Sequence, residues 1–328
     1  MDKKLYYRTK LGKFYLGDSI ELLGSELGNE LENKVQLILT SPPFPLNKKK
    51  KYGNLNEKQY KEWFVNLAPL FSKLLKKDGS IVIELGNAWE KNKPVQSTLH
   101  LESLLGFKQK GELNLCQEFV CYNPSRLPSP AQWVTIKRIR TVDSFTHIWW
   151  LSKSEYPKAD NRRVLRPYSK SMINLLKNKK YNHGERPSEH KIGKYSFLND
   201  NGGSIMPNVL ELEEADPARK VRLPENFLSI ANTKSNDFFL RKCREKGITP
   251  HPARMPLEMA YFFIEFLTDE RDLVFDPFAG SNTTGFCAEK KNRQWISIDN
   301  NKEYVEQSLI RFEDPQIGKN IKILKWEV

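Results

Sequence analysis

An apolar run that stops abruptly, a helix-periodic stretch and a second apolar run follow one another twice in this chain, and no other feature restricts its fold as strongly. In the first block, Lys34-Val-Gln-Leu-Ile-Leu39 carries the β-branched residues Val35 and Ile38 and halts at Thr40-Ser41-Pro42-Pro43, which predicts a buried strand. Tyr60 to Leu75 sets Trp63, Phe64, Leu67, Leu70, Phe71 and Leu74 at helical spacing, and Lys76-Lys-Asp-Gly79 predicts a basic helix end with a glycine cap. Ser80-Ile-Val-Ile-Glu84 is then the next strand. The second block repeats the order, with a helix over Leu257 to Leu267, a strand at Leu273-Val-Phe, a helix over Asn282 to Lys290 and a strand at Trp295-Ile-Ser-Ile. Such units make parallel crossovers, so the expected class is α/β with a mostly parallel sheet.

Between the blocks, residues 152–247 have weaker periodicity and more turn formers, Asn199-Asp-Asn-Gly-Gly203 among them. An inserted module is expected there, dividing the chain into 1–151, 152–247 and 248–328. The length of 328 residues exceeds one ordinary domain and leaves room for it. The formal charge of +13 attracts a polyanion in a salt-dependent way, which makes DNA or RNA the leading partner. Three basic stretches are candidates for phosphate contacts: Lys48 to Lys51, with Lys49 and Lys50 at its centre; Lys137, Arg138 and Arg140; and Asn161 to Lys180, which holds Arg162 and Arg163 and no acid. Each could equally be a solvated basic face.

Cys116, Cys121, Cys243 and Cys287 form no Cys-x-x-Cys pair and the histidines are scattered, so no metal site is expected. Met1-Asp2-Lys3-Lys4 leads into no apolar core, and no apolar run reaches the roughly 18 residues that span a bilayer. A soluble, cytoplasmic protein is the expectation.

Two short motifs carry chemistry. Asp276-Pro-Phe-Ala-Gly-Ser-Asn-Thr-Thr-Gly285 follows a strand and opens a helix. Gly280 lets the backbone approach a ligand, and the amides of Ser281 to Thr284 can receive a carboxylate at the helix N-terminus. The following strand ends at Asp299, where an acid binds sugar hydroxyls in such folds. The plain alternative is a tight turn capped by Asp276. In Ser41-Pro42-Pro43-Phe44, the prolines end the strand and push Ser41 out of helical geometry, so Ser41 and Phe44 project where open α/β sheets bind ligands. Here the alternative is a stopped strand with Phe44 packed inward. Gly17-Asp18 is a weaker acidic signal that a helix cap would also explain.

The chain resembles the amino-methylating DNA methyltransferases of restriction-modification systems, in the permuted class whose catalytic motif precedes the cofactor motif, and within it the PvuII-type modification enzymes. The resemblance runs through Thr40-Ser-Pro-Pro-Phe44, Lys51-Tyr-Gly-Asn54, Asn123-Pro-Ser-Arg-Leu-Pro-Ser-Pro130, Asn201-Gly-Gly-Ser204, His251-Pro-Ala-Arg254 and Ser281-Asn-Thr-Thr-Gly285. It implies a Rossmann-like class I fold with a circularly permuted, mostly parallel seven-stranded sheet. Residues 1–151 would be the catalytic half, 152–247 the target-recognition region and 248–328 the cofactor half. The implied donor is S-adenosyl-L-methionine, held by Asp18, Thr40, Asp276, Phe278, Gly280, Ser281, Asn282, Thr283 and Asp299. Catalysis is implied for Ser41, Pro42, Pro43 and Phe44.

Members with Asp at the position of Ser41 generally methylate adenine N6, and those with Ser mostly cytosine N4, so the implied product is N4-methylcytosine in double-stranded DNA. Adenine N6 is the alternative; an RNA or protein methyltransferase and a non-enzymatic DNA-binding module are more distant ones. Glutamine methylation would favour Asn-Pro-Pro-Tyr, and ring-carbon methylation a Pro-Cys pair, neither of which this chain has at these positions. The resemblance further implies functional pairing with a restriction endonuclease without a stable complex, and a monomer or weak dimer.

Overall fold

The computed structural model describes residues 5–44, 57–123, 126–211 and 238–314, together with the backbone of 324–325. Its strands are β1 (Leu5–Arg8), β2 (Gly12–Leu16), β3 (Val35–Thr40), β4 (Leu75–Leu85), β5 (Asn114–Tyr122), β6 (Phe145–Ser152), β7 (Gly184–Glu185), β8 (Lys191–Ile192), β9 (Val209–Glu211), β10 (Leu273–Asp276), β11 (Gln294–Asp299) and β12 (Leu324–Lys325). The helices are α1 (Ser19–Leu23), α2 (Glu26–Leu31), α3 (Glu57–Leu74), α4 (Leu99–Lys110), α5 (Lys170–Asn178), α6 (Phe238–Glu245), α7 (Leu257–Leu267), α8 (Thr283–Lys290) and α9 (Lys302–Ser308).

One sheet runs β12-β1-β2-β11-β10-β3-β4-β6-β5-β9. Its centre, β2-β11-β10-β3-β4, is parallel throughout, and β6 and β5 continue it as an antiparallel hairpin. These are the seven strands expected of the fold. The sheet is wider than that expectation, because β1 and β12 extend one edge and β9 the other. A second difference lies at Lys76 to Gly79. No separate glycine-capped turn parts helix from strand; β4 starts at Leu75, opposite Val35, and the extra residues form an irregularity before Ser80 pairs with Leu37. Tertiary pairing has absorbed the turn into the ladder.

Alternation along the central strands divides the core into two layers. Val35 and Ile38 pack with Leu23, Leu27, Phe64 and Phe107 of α1 to α4, whereas Leu37 and Leu39 pack with Met259, Phe263 and Phe286 of α7 and α8. β3 is buried along its whole length, which is why it reads as a continuous apolar run. Phe64, Phe71 and Phe107 are fully buried and meet edge to face or tilted at 5.0 and 6.0 Å; truncating any one to Ala would cost about 3–5 kcal/mol.

The described part of the middle stretch leans on the β5 edge. β9 runs parallel to β5, and Val164 and Leu210 join the core, but α5 buries none of its side chains. Among the described residues, no helix is long and apolar enough to cross a membrane.

What positions the site is the order of crossovers. From β10 the chain passes through α8 to β11 on one side; from β3 it passes through α3 to β4 on the other. β10 and β3 are neighbours, so their C-terminal ends flank the topological switch point, where a crevice opens.

Candidate active site

Asp276, the last residue of β10, ties the two motifs together beneath that crevice. Its Oδ1 accepts from the Thr40 hydroxyl at 2.8 Å and from the Phe278 amide at 3.1 Å, and its Oδ2 accepts from the Thr284 hydroxyl at 2.8 Å. Burial dominates the carboxyl's chemistry and pushes its pKa up to about 6, against the pull of these donors. Asp299, at the end of β11, accepts from the Gly280 amide at 2.8 Å and the Asn301 amide at 2.9 Å, and burial raises its pKa as well.

The turn between them is tightly specified. Gly280 has φ +49°, and a Cβ there would lie 3.2 Å from Nε2 of His251. The His251 Nδ1 accepts from the Ala253 amide, so the proton of a neutral ring sits on Nε2. Ser281 is held by Arg311, which donates to its carbonyl at 2.7 Å and its hydroxyl at 2.9 Å. Ser19 donates from the facing helix to the Pro277 carbonyl.

A cavity of about 620 Å³ runs from this turn to the end of β3, and both motifs line it. Ser41, Pro42, Pro43 and Phe44 stand on one side, Phe278, Gly280, Ser281, Thr283 and Asp299 on the other, with Glu84 and Thr146 closing the end near Ser41. Thr146 donates to Glu84 at 3.1 Å, and the Ser41 hydroxyl also bonds Glu84. Glu84 is enclosed by protein on every side but the cavity, and this desolvation raises its pKa. Two hydroxyls in the wall, those of Thr283 and Tyr60, are buried and have no hydrogen-bond partner within the protein. An orphaned hydroxyl at the first residue of α8, beside a turn that tolerates no Cβ, fits a ligand carrying a carboxylate and a sugar.

Several residues are placed otherwise than the motifs suggest. Thr40 and Asn282 do not line the cavity. Thr40 is spent on Asp276, and Asn282, left-handed at φ +57°, caps α8 by accepting from the Gly285 amide while bonding Ser297 and Tyr7 in the core. Asp18 is at the rim, and its carboxylate caps α1 through the Ile20 and Glu21 amides at 2.8 and 3.1 Å. Phe44 faces the cavity but also packs inward, edge-on to Tyr60 at 6.2 Å.

The basic candidates diverge. Arg162 forms two bonds to Asp160 at 2.8 and 2.9 Å, and Arg163 bonds Thr268 and Asp269 at 2.6 Å each. The segment lacks acids of its own, but Asp160 beside it and Asp269 across the fold engage these guanidinium groups, so they are not the open phosphate contacts expected. Arg140 donates to the Pro94 carbonyl at 2.7 Å and lies 3.6 Å over the Trp89 ring, while Lys137 sits 5.0 Å from the Trp133 ring centre and Arg138 is exposed. Lys49 and Lys50 lie outside the described residues.

The motifs gave no hint of Glu84, Thr146, Tyr60 or Trp63 as wall residues. Trp63, read as core, meets Phe278 at 5.6 Å beside the cavity. Only His251 lay in a stretch already singled out, His251-Pro-Ala-Arg254.

A family model described as DNA methylase matches residues 35–310. The chain is 42% identical to the type II methyltransferase M.PvuII of Proteus hauseri, over 97% of this chain and 88% of that one. The solved structure of the PvuII DNA methyltransferase (cytosine-N4-specific) superposes with a TM-score of 0.70 at 36% identity, covering 96% of this chain and 91% of that one. A DNA modification methylase from Thermus thermophilus, solved with S-adenosyl-L-methionine, shares the fold at a TM-score of 0.51 and 16% identity, covering 92% of each chain. With both cavity motifs and the sheet between them inside the matched region, and with identity of this order along nearly the whole length, the chain belongs to the DNA methylase family.

Proposed function

We propose that this chain transfers a methyl group from S-adenosyl-L-methionine to the N4 amine of cytosine in double-stranded DNA. The observation that carries the reading is the pairing of Ser41 with Glu84 at the catalytic end of the cavity. An exocyclic amine is a poor nucleophile because its lone pair is delocalised into the ring. Donating its own proton to an ionised Glu84, the Ser41 hydroxyl turns its lone pairs toward the cavity, and the Pro42 carbonyl supplies a second acceptor. Two acceptors aimed at the two amine hydrogens favour a pyramidal nitrogen. Orientation of that nitrogen is the main help the protein gives.

When bound, S-adenosyl-L-methionine supplies an electrophilic methyl group on a sulfonium sulfur. Thr283 and the first amides of α8 would hold its carboxylate, Asp299 its ribose, and Phe278 with Trp63 would pack on its adenine. The methylated nitrogen must shed one proton, and Glu84 is placed to take it through the Ser41 oxygen. Inside a duplex the amine cannot reach the cavity, so the base is flipped out, with Phe44 as its stacking partner.

Serine at position 41 favours cytosine N4 over adenine N6, and the relative of known structure at 36% identity is described as cytosine-N4-specific. Residues 152–247 are assigned to target recognition, between the catalytic half, 1–151, and the cofactor half, 248–328. In a restriction-modification setting the enzyme acts as a monomer or weak dimer in the cytoplasm of a prokaryote, protecting DNA from a cognate endonuclease without binding it. The test is to incubate the protein with labelled donor and duplex DNA or RNA, digest to nucleosides and weigh the product. N4-methylcytosine from DNA is expected; N6-methyladenine, or label in RNA alone, would overturn the assignment.

A further inference from the structure

We infer that the loop joining β5 to β6 is a wedge whose aliphatic tip, Ile136 and Ile139, enters the duplex where the target base leaves it. The inference rests on the base-flipping reading above and adds the element that fills the gap. Topology places the loop. β6 runs antiparallel to β4 and β5 antiparallel to β6, so the chain leaves β5 and enters β6 at the end of the sheet where β3, β4 and β10 finish. Thr146, the second residue of β6, is already in the cavity wall.

The loop presents an unusual surface. Ile136 is 74% exposed and Ile139 60% exposed, and they bracket Lys137 and Arg138, both also exposed. Residues 126–142 contain no Asp or Glu, so nothing in the loop itself repels phosphate. Aliphatic side chains held in water beside cations are the composition of an apolar wedge flanked by phosphate contacts.

The tip is braced rather than loose. Lys137 and Ile139 donate their amides to Gln132 and Trp133 carbonyls at 2.9 and 3.0 Å, closing a compact turn in which Arg138 has φ +53°. Arg140 fastens the turn to Trp89 and Pro94, in the segment that follows Glu84 and Gly86 out of the cavity wall. A braced apolar tip can occupy the vacated space in the stack at little further ordering cost. Lys137 and Arg138 then lie against the flanking backbone.

The test compares two duplexes, one with the target cytosine paired and one with it opposite an abasic site, where the base is already loose. For Ile136→Ala/Ile139→Ala, kcat/KM on the paired duplex should fall by about tenfold or more, while on the abasic-opposed duplex it stays within about twofold of the parent protein. Ile136→Leu/Ile139→Leu, which keeps the bulk, should retain the parent ratio. An unchanged ratio in the alanine variant, or an equal fall on both duplexes, overturns the wedge. Failure of the unsubstituted protein to methylate either duplex would instead remove the base-methylation reading on which the wedge stands.

Discussion

The Thr40 hydroxyl donates to the Asp276 carboxylate at 2.8 Å, across the point where the crossovers of the sheet change direction. One residue beyond Thr40 begins the Ser-Pro-Pro-Phe loop; one residue beyond Asp276 begins the glycine turn. The bond therefore fixes the distance between the catalytic and cofactor sides of the cavity, though 236 positions separate its ends. A hydroxyl bonded to a buried charge-bearing group is worth more than an ordinary hydrogen bond, about 1.5–3 kcal/mol.

Thr284→Val and Thr40→Val should each destabilise the fold by about 1–3 kcal/mol by leaving the Asp276 carboxylate short of a donor. The loss should depend on pH. Asp276 has its pKa raised to about 6, so the fold favours its protonated form. Its contribution is fully present below the unfolded carboxylate range and is lost as pH rises through about 6. The substitutions remove stabilisation mainly from the ionised form, so urea unfolding should show a larger deficit at pH 8 than at pH 5. Equal deficits at both would show that the carboxyl does not ionise in the fold.

The acid limb of the pH–rate profile should report Glu84. Only its ionised form takes the Ser41 proton, and burial raises its pKa, so kcat should fall as pH drops through a value above the ordinary carboxylate range. Glu84→Gln should lower kcat by about 10²-fold and flatten that limb, with donor affinity little changed. Ser41→Ala should lose a similar factor. Single-turnover methyl transfer between pH 5 and 9 measures all three, and a retained acid limb in Glu84→Gln would reassign it.

How far the site could be read from residue order follows from which contacts are local. β3, α7, β10, α8 and β11 announce themselves through periodicity, and Ser41 and Gly280 through the breaks that follow strands. Glu84 does not, because its role depends on β4 lying beside β3 and on β6 bringing Thr146 alongside. Asn282 sits in the glycine turn, yet its left-handed backbone aims its amide at Tyr7 and Ser297 rather than at the cavity. Arg163 looked open only because Asp269, more than a hundred residues away, is invisible to a local reading of charge. β9 and β12 are two- or three-residue edge strands whose pairing partners, not their own residues, create them.

Thr283→Val and Tyr60→Phe should separate binding from folding. Each removes a buried hydroxyl that has no partner within the protein, so the apo fold should be unchanged or slightly more stable. If Thr283 receives the donor's carboxylate, its loss should weaken S-adenosyl-L-methionine binding by about tenfold, one hydrogen bond to a charged group. Calorimetric titration and thermal melts of the same samples give both numbers. A less stable apo protein with intact binding would make the hydroxyl a structural group.

Gly280→Ala tests the turn itself. At φ +49° a side chain is strained wherever it points, and here its Cβ would stand 3.2 Å from the His251 ring, which is in turn packed edge-on against Tyr304 at 4.3 Å. The ring can yield only by displacing Tyr304 and the Ala253 amide bonded to Nδ1. A cost of about 1–3 kcal/mol in stability is expected from the backbone and the contact together. Because the Gly280 amide also donates to Asp299, any shift of the turn moves the acid that faces the ribose. Donor affinity should therefore fall along with stability, whereas His251→Ala/Gly280→Ala, which frees the space, should recover part of the stability through removal of the clash. Recovery of nothing would assign the whole cost to the left-handed backbone.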